Sequence, residues 1–124
     1  MLSAYLRDAL LAWVLKDGAY VSLHTKDPGD VGSNEVAGRG YGRLKFAFDV
    51  AAGRARNLAE DVYLNLPKAK YTHFGLWDAS AGGNFWWGGV LRDVEGEVGI
   101  AVKDGERIVI EAGLIEVTMM SGVS

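Results

Sequence analysis

The chain has 124 residues and 13.4 kDa, the usual size of one domain, and its 49% hydrophobic content supplies a core without covalent staples. Thirteen Lys+Arg against 16 Asp+Glu give a formal net charge of -3 and a pI near 5.3, so the basic surplus that drives non-specific nucleic-acid binding is missing. The absence of cysteine excludes disulfides, thiol nucleophiles and thiolate metal sites, and no apolar run approaches the roughly 20 residues of a membrane-spanning helix, so neither nucleic acid nor membrane is an expected partner.

The opening segment, Leu2 to Lys16, places Leu2, Leu6, Leu10, Trp13 and Val14 at helical spacings, with Ser3 as N-cap and Gly18 as the stop. One amphipathic helix is predicted over residues 1–18. It reads plainly as a cover for the domain and more sharply as an anchor for a partner surface. Its apolar stretch lies between Arg7-Asp8 and Lys16-Asp17, which does not fit a signal peptide.

From Tyr20 to Thr25 the periodicity changes to two, the mark of a strand, and it breaks at Asp27-Pro28-Gly29-Asp30. Residues Val31 to Arg43 contain Gly32, Gly38, Gly40 and Gly42, too many for a regular element, and are expected to form an ordered surface loop. Alternation resumes over Leu44–Phe48 and Val62–Leu66. Tyr71–Trp77 and Phe85–Leu91 read as an aromatic hairpin at the centre of the sheet, joined through Asp78–Asn84. Val98, Ile100 and Val102 alternate up to Asp104-Gly105, and Ile108 and Ile110 continue beyond it, the strongest short hairpin signal in the chain. Leu114–Met119 is the last strand, and Ser121–Ser124 is expected to fray. Seven or eight short strands after one helix, without a βαβ rhythm, predict a mainly β single domain: an antiparallel β-sandwich over 19–120, jelly-roll-like, behind an N-terminal α-helix.

Several constellations bring together groups capable of chemistry. His24 and His73 are the only histidines, each inside a predicted strand; a shared metal or general-base site requires both to face one way near a carboxylate such as Asp27 or Asp78. Gly38–Arg43 lacks the final glycine and the following helix of a dinucleotide fingerprint. Asp27, Asp30, Asn34 and Glu35 bring oxygen ligands into one loop without the spacing of an EF-hand. Arg54 and Arg56 read as solvated charges. No catalytic residue, cofactor or metal ligand is assigned, and the chain is expected not to be an enzyme. The remaining candidates are protein contacts: Arg39, Tyr41 and Arg43 in the glycine-rich loop, and Trp86 or Trp87, which as neighbours on a strand point to opposite faces. An exposed member of that pair also suits a glycan.

Taken in order, Tyr5-Leu6 with Leu10-Leu11, Tyr20 through Asp30, Asn34-Glu35-Val36 leading to Gly40–Arg43, Thr72 through Asp78, Gly82-Gly83-Asn84 and Ala112-Gly113-Leu114 resemble a family of small tailed-bacteriophage virion proteins, commonly called tail fibre proteins. The sequence departs from the family pattern at Leu66-Pro67 and at Phe85-Trp86-Trp87. The resemblance implies a non-enzymatic part of a phage particle, assembled in the host cytoplasm. It would be a capsid decoration protein on the major capsid protein or, alternatively, a tail fibre, tail-associated or glycan-binding protein. It also implies a homo-oligomer, with a trimer favoured by analogy to decoration proteins on symmetry axes.

Overall fold

The computed structural model describes residues 3–118. A single helix, α1 (Ala4–Val14), opens it, and Ser3 caps it as expected, its Oγ accepting the Leu6 N–H at 3.0 Å. Leu2 and the predicted fraying tail lie outside the described residues, as does Met119. Eleven strands follow among the described residues: β1 (Ala19–His24), β2 (Leu44–Phe46), β3 (Phe48–Ala51), β4 (Arg54–Asn57), β5 (Asp61–Tyr63), β6 (Ala69–Tyr71), β7 (His73–Trp77), β8 (Phe85–Val90), β9 (Ile100–Val102), β10 (Ile108–Ile110) and β11 (Glu116–Thr118).

All strand pairs are antiparallel, so the body is mainly β with one helix at its N-terminus, as the strand count and spacing predict. The ladders are a four-stranded sheet in the order β2-β1-β7-β8, a three-stranded sheet β11-β4-β3, and the pairs β10-β5 and β6-β9. Their inner faces meet in one core that includes Val21, Leu23, Tyr63, Leu66, Tyr71, Phe74, Leu76, Ile110 and Ile115. Tyr63 is buried in it and donates its hydroxyl to the Val21 carbonyl at 2.5 Å, so its polar end is satisfied.

Four expectations need correction. The segments flanking Asp104-Gly105 do not pair with each other. The chain turns at Lys103–Glu106, but β9 joins β6 and β10 joins β5, which makes the turn a corner between two ladders. The predicted strand Tyr71–Trp77 is divided at Thr72 between β6 and β7. β8 is an edge strand; the centre of the large sheet is β1 and β7. Finally, the helix stripe is turned: Leu11 and Leu15 enter the core, whereas Leu6, Leu10, Trp13 and Val14 remain substantially in water. The helix rests on β3 and β4 along the Leu11–Leu15 side, and helical spacing alone does not say which of two adjacent apolar stripes meets the body.

Candidate interaction surface

The central strands β1 and β7 of the large sheet are buried on both faces over most of their length. Cross-strand register sets Val21 opposite Leu76 and Leu23 opposite Phe74 on the core side, and sets Ser22 opposite Gly75 and His24 opposite His73 on the other. That second face is covered by the glycine-rich loop, whose edge continues the sheet through the Val36 N–H bond to the Leu23 carbonyl at 3.0 Å and the His24–Glu35 bridge. Gly32 lies directly on the Trp77 ring. At φ +79° with a Cβ position 2.4 Å from the indole, only glycine fits there.

Arg43 is the clamp of this cover. Its guanidinium stacks 3.7 Å from the Trp77 ring centroid, donates two bonds to the Glu35 carboxylate at 2.9 and 3.0 Å, and donates to the carbonyls of Ala79 and Gly82 at 2.9 and 2.8 Å. Its side chain is 7% exposed. Tyr41 donates its hydroxyl to Glu35 at 2.6 Å, accepts the Leu23 N–H at 3.0 Å and stacks on Tyr63. Burial pushes the Glu35 carboxyl up, but the bonds from Arg43 and Tyr41 outweigh it and hold the group below its ordinary value. Tyr41 and Arg43 therefore have their polar atoms occupied inside the chain. Arg39 differs: it bonds Asn65 at 2.8 Å and Asp104 at 3.1 Å, stays 42% exposed, and sits at φ +50°.

Beneath the cover lies a chain of buried polar groups. Trp77 Nε1–H donates to Ser22 Oγ at 2.8 Å, Ser22 and His24 Nε2 are 2.6 Å apart, and His24 Nδ1 is 2.7 Å from the Ser33 carbonyl. A carbonyl only accepts, so Nδ1 carries the proton and Nε2 accepts from Ser22. Burial lowers the pKa of His24, against the raising effect of the Ser33 bond. The two histidines do face each other in register, yet both nitrogens of His24 have partners within the chain, and His73 Nδ1 is 2.8 Å from Thr72 Oγ1. Of the loop oxygens, Asp27 accepts the Gly29 N–H and Glu35 holds Arg43. Arg54 and Arg56 sit at the surface beside Glu116, Arg56 at 2.9 Å.

A β-bulge decides the tryptophan pair. Leu76 pairs with Trp87 and Trp77 with Phe85, so Trp86 is the extra residue and simple alternation fails there. Trp87 packs on Phe74 at 5.7 Å, Phe85 packs edge-on to Trp77 at 5.1 Å, and Trp86 is 37% exposed. Trp86 and Trp87 line a groove of about 750 Å3 whose other wall is the C-terminal half of α1, with Trp13 and Val14, and whose lining also includes Tyr20 of β1. Arg39 has other neighbours, so the structure divides the sequence-predicted contact residues between two places. Periodicity gave no sign of Glu35 and Trp77 as partners of Arg43, because Trp77 lies more than 30 residues away and Glu35, though only eight residues away, sits in the same irregular loop.

The comparison that bears on this architecture is a protein family described as "Podophage GP4 fiber I protein gp80", which matches residues 1–118. The chain belongs to this podophage fibre protein family. A search of curated proteins finds no match. Membership makes the chain a fibre-type structural protein of a phage particle, in agreement with the resemblance carried by its motifs.

Proposed function

We propose that the chain is a non-catalytic subunit of a podophage tail fibre, present in several copies, with three the expected number, and joined to another virion protein through the Arg39 side of the glycine-rich loop. The observation that carries this reading is the family match over residues 1–118. The fibre character of that family supports a place on the tail, while small size and a β-rich body are the arguments for capsid decoration. The interior adds support for a role without catalysis: the Ser–His pair found among the described residues, Ser22 and His24, is 0% exposed, with its polar atoms bonded internally. Arg43 and Tyr41 then hold the loop in shape, and Arg39 presents its cation at the surface.

Cryo-electron microscopy of the intact particle tests the location. Density for this chain on the tail supports the reading, and density on the capsid lattice replaces it with decoration. For the contact, Arg39→Ala removes an exposed ion pair to Asp104 and an exposed hydrogen bond to Asn65, together worth about 1 kcal/mol to stability, so the variant should stay folded while entering particles less efficiently. Parental incorporation of a folded Arg39→Ala chain would move the contact elsewhere.

A further inference from the structure

α1 is apolar over more of its circumference than its own body uses. With about 100° per residue, Leu11 and Leu15 form the stripe buried in the core, while Trp13, Leu6, Leu10 and Val14 form a second stripe beside it; the whole apolar arc is about 200°, roughly twice what a helix lying on one surface requires. The second stripe is wet: Trp13 is 68% exposed and Leu6 44%. Alongside it runs the groove whose far wall is Trp86 and Trp87 on the edge strand β8.

We propose that this face is the interface between copies of the chain, the exposed ridge of one α1 seating in the groove between α1 and β8 of the next. Three observations point to a second copy as the occupant. Ridge and groove lie side by side on one face, so each molecule offers both halves of the contact. Leu6, Leu10, Trp13, Val14 and Trp86 leave roughly 500 Å2 of their surface in water, the size of the largest patch a monomer ordinarily exposes and more than half of the ~800 Å2 per partner of a standard interface. The groove lining also carries both signs of charge, Lys16 and Lys45 with Asp17 and Asp78, which suits a copy of itself better than a partner of one sign. The inference does not depend on where in the particle the chain is mounted.

Analytical ultracentrifugation of the full-length chain tests it. The parent should associate reversibly at micromolar concentration, the mass giving the copy number, while Trp13→Ala and Trp86→Ala, on opposite walls of the groove, should each weaken association roughly thirtyfold, the loss typical of a buried interface tryptophan. Leu64→Ala, at a residue 64% exposed away from this face, should associate like the parent. Unchanged far-ultraviolet circular dichroism separates lost association from lost folding. A parent that remains monomeric up to about 100 μM, or tryptophan variants that associate like the parent, would overturn the proposal and leave the face to a different virion protein or a glycan.

Discussion

At the scale of single residues, Arg43 has the most to lose. Its guanidinium meets a ring face, a carboxylate and two carbonyls at once, a set of contacts that depends on a planar, five-donor group. Arg43→Ala leaves the Glu35 carboxylate and the two carbonyls without their donor and should cost about 3 kcal/mol in urea unfolding, with Arg43→Lys recovering only part of it. A loss below about 0.5 kcal/mol would show that the loop holds without its clamp. His24 makes the same region sensitive to acid. Its pKa in the folded chain lies below the 6.5 of the free group, so the unfolded chain binds the extra proton first. The stability it contributes is complete above about pH 6.5 and declines as pH falls from there toward the folded-state value. Replacing His24 by Asn should remove that slope from the plot of unfolding free energy against pH. Glu35 adds a separate decline at lower pH, since its depressed pKa means stability is lost as pH falls below 4.5 toward the folded-state value.

At the scale of elements, the β3–β4 hairpin shows how local chemistry both hides and builds structure. Its two turn residues, Ala52 at φ +52° and Gly53 at φ +80°, adopt the left-handed pair that a two-residue hairpin demands, but alanine is a poor residue for the first position. The arms were equally quiet, since Arg54-Ala55-Arg56-Asn57 buries only Ala55 and Asn57. Ala52→Asn should relieve the strain and raise stability by about 0.5–1 kcal/mol, a shift of a few degrees in Tm. A lower Tm for this variant would mean that the turn is held by its surroundings. Asn57 closes the other end of the element, bonding the Ala59 and Glu111 carbonyls through Nδ2 and accepting the Ile115 N–H, which ties β4 to the approach of β11. The Asp104-Gly105 turn teaches the converse. Its chemistry was legible and a turn is present, yet a turn signal specifies a reversal of direction and not the partner of each arm. Ile108 and Ile110 are buried against β5, and the burial available there outweighs the short-range pairing.

At the scale of the whole molecule, the core draws on all four ladders and on Leu11 and Leu15 of the helix, which predicts a single cooperative unfolding transition. Tryptophan fluorescence, reporting Trp77 and Trp87 inside the body, should follow the same urea curve as far-ultraviolet circular dichroism. Separated curves would mean that part of the body unfolds independently. From the sequence alone, the mainly β antiparallel class, the capped N-terminal helix, the β7–β8 pairing and the virion family were all readable, because each is written in spacings of two to four residues or in ordered local motifs. Tertiary structure alone decided which side of α1 meets the body, which ladders β9 and β10 join, that Trp86 sits in a bulge, and that Arg43 and Tyr41 face inward. Those outcomes depend on competition for buried surface and on partners far apart in the chain, Arg43 with Trp77 and the Ala79 carbonyl, Trp77 with Ser22. No local periodicity carries that information.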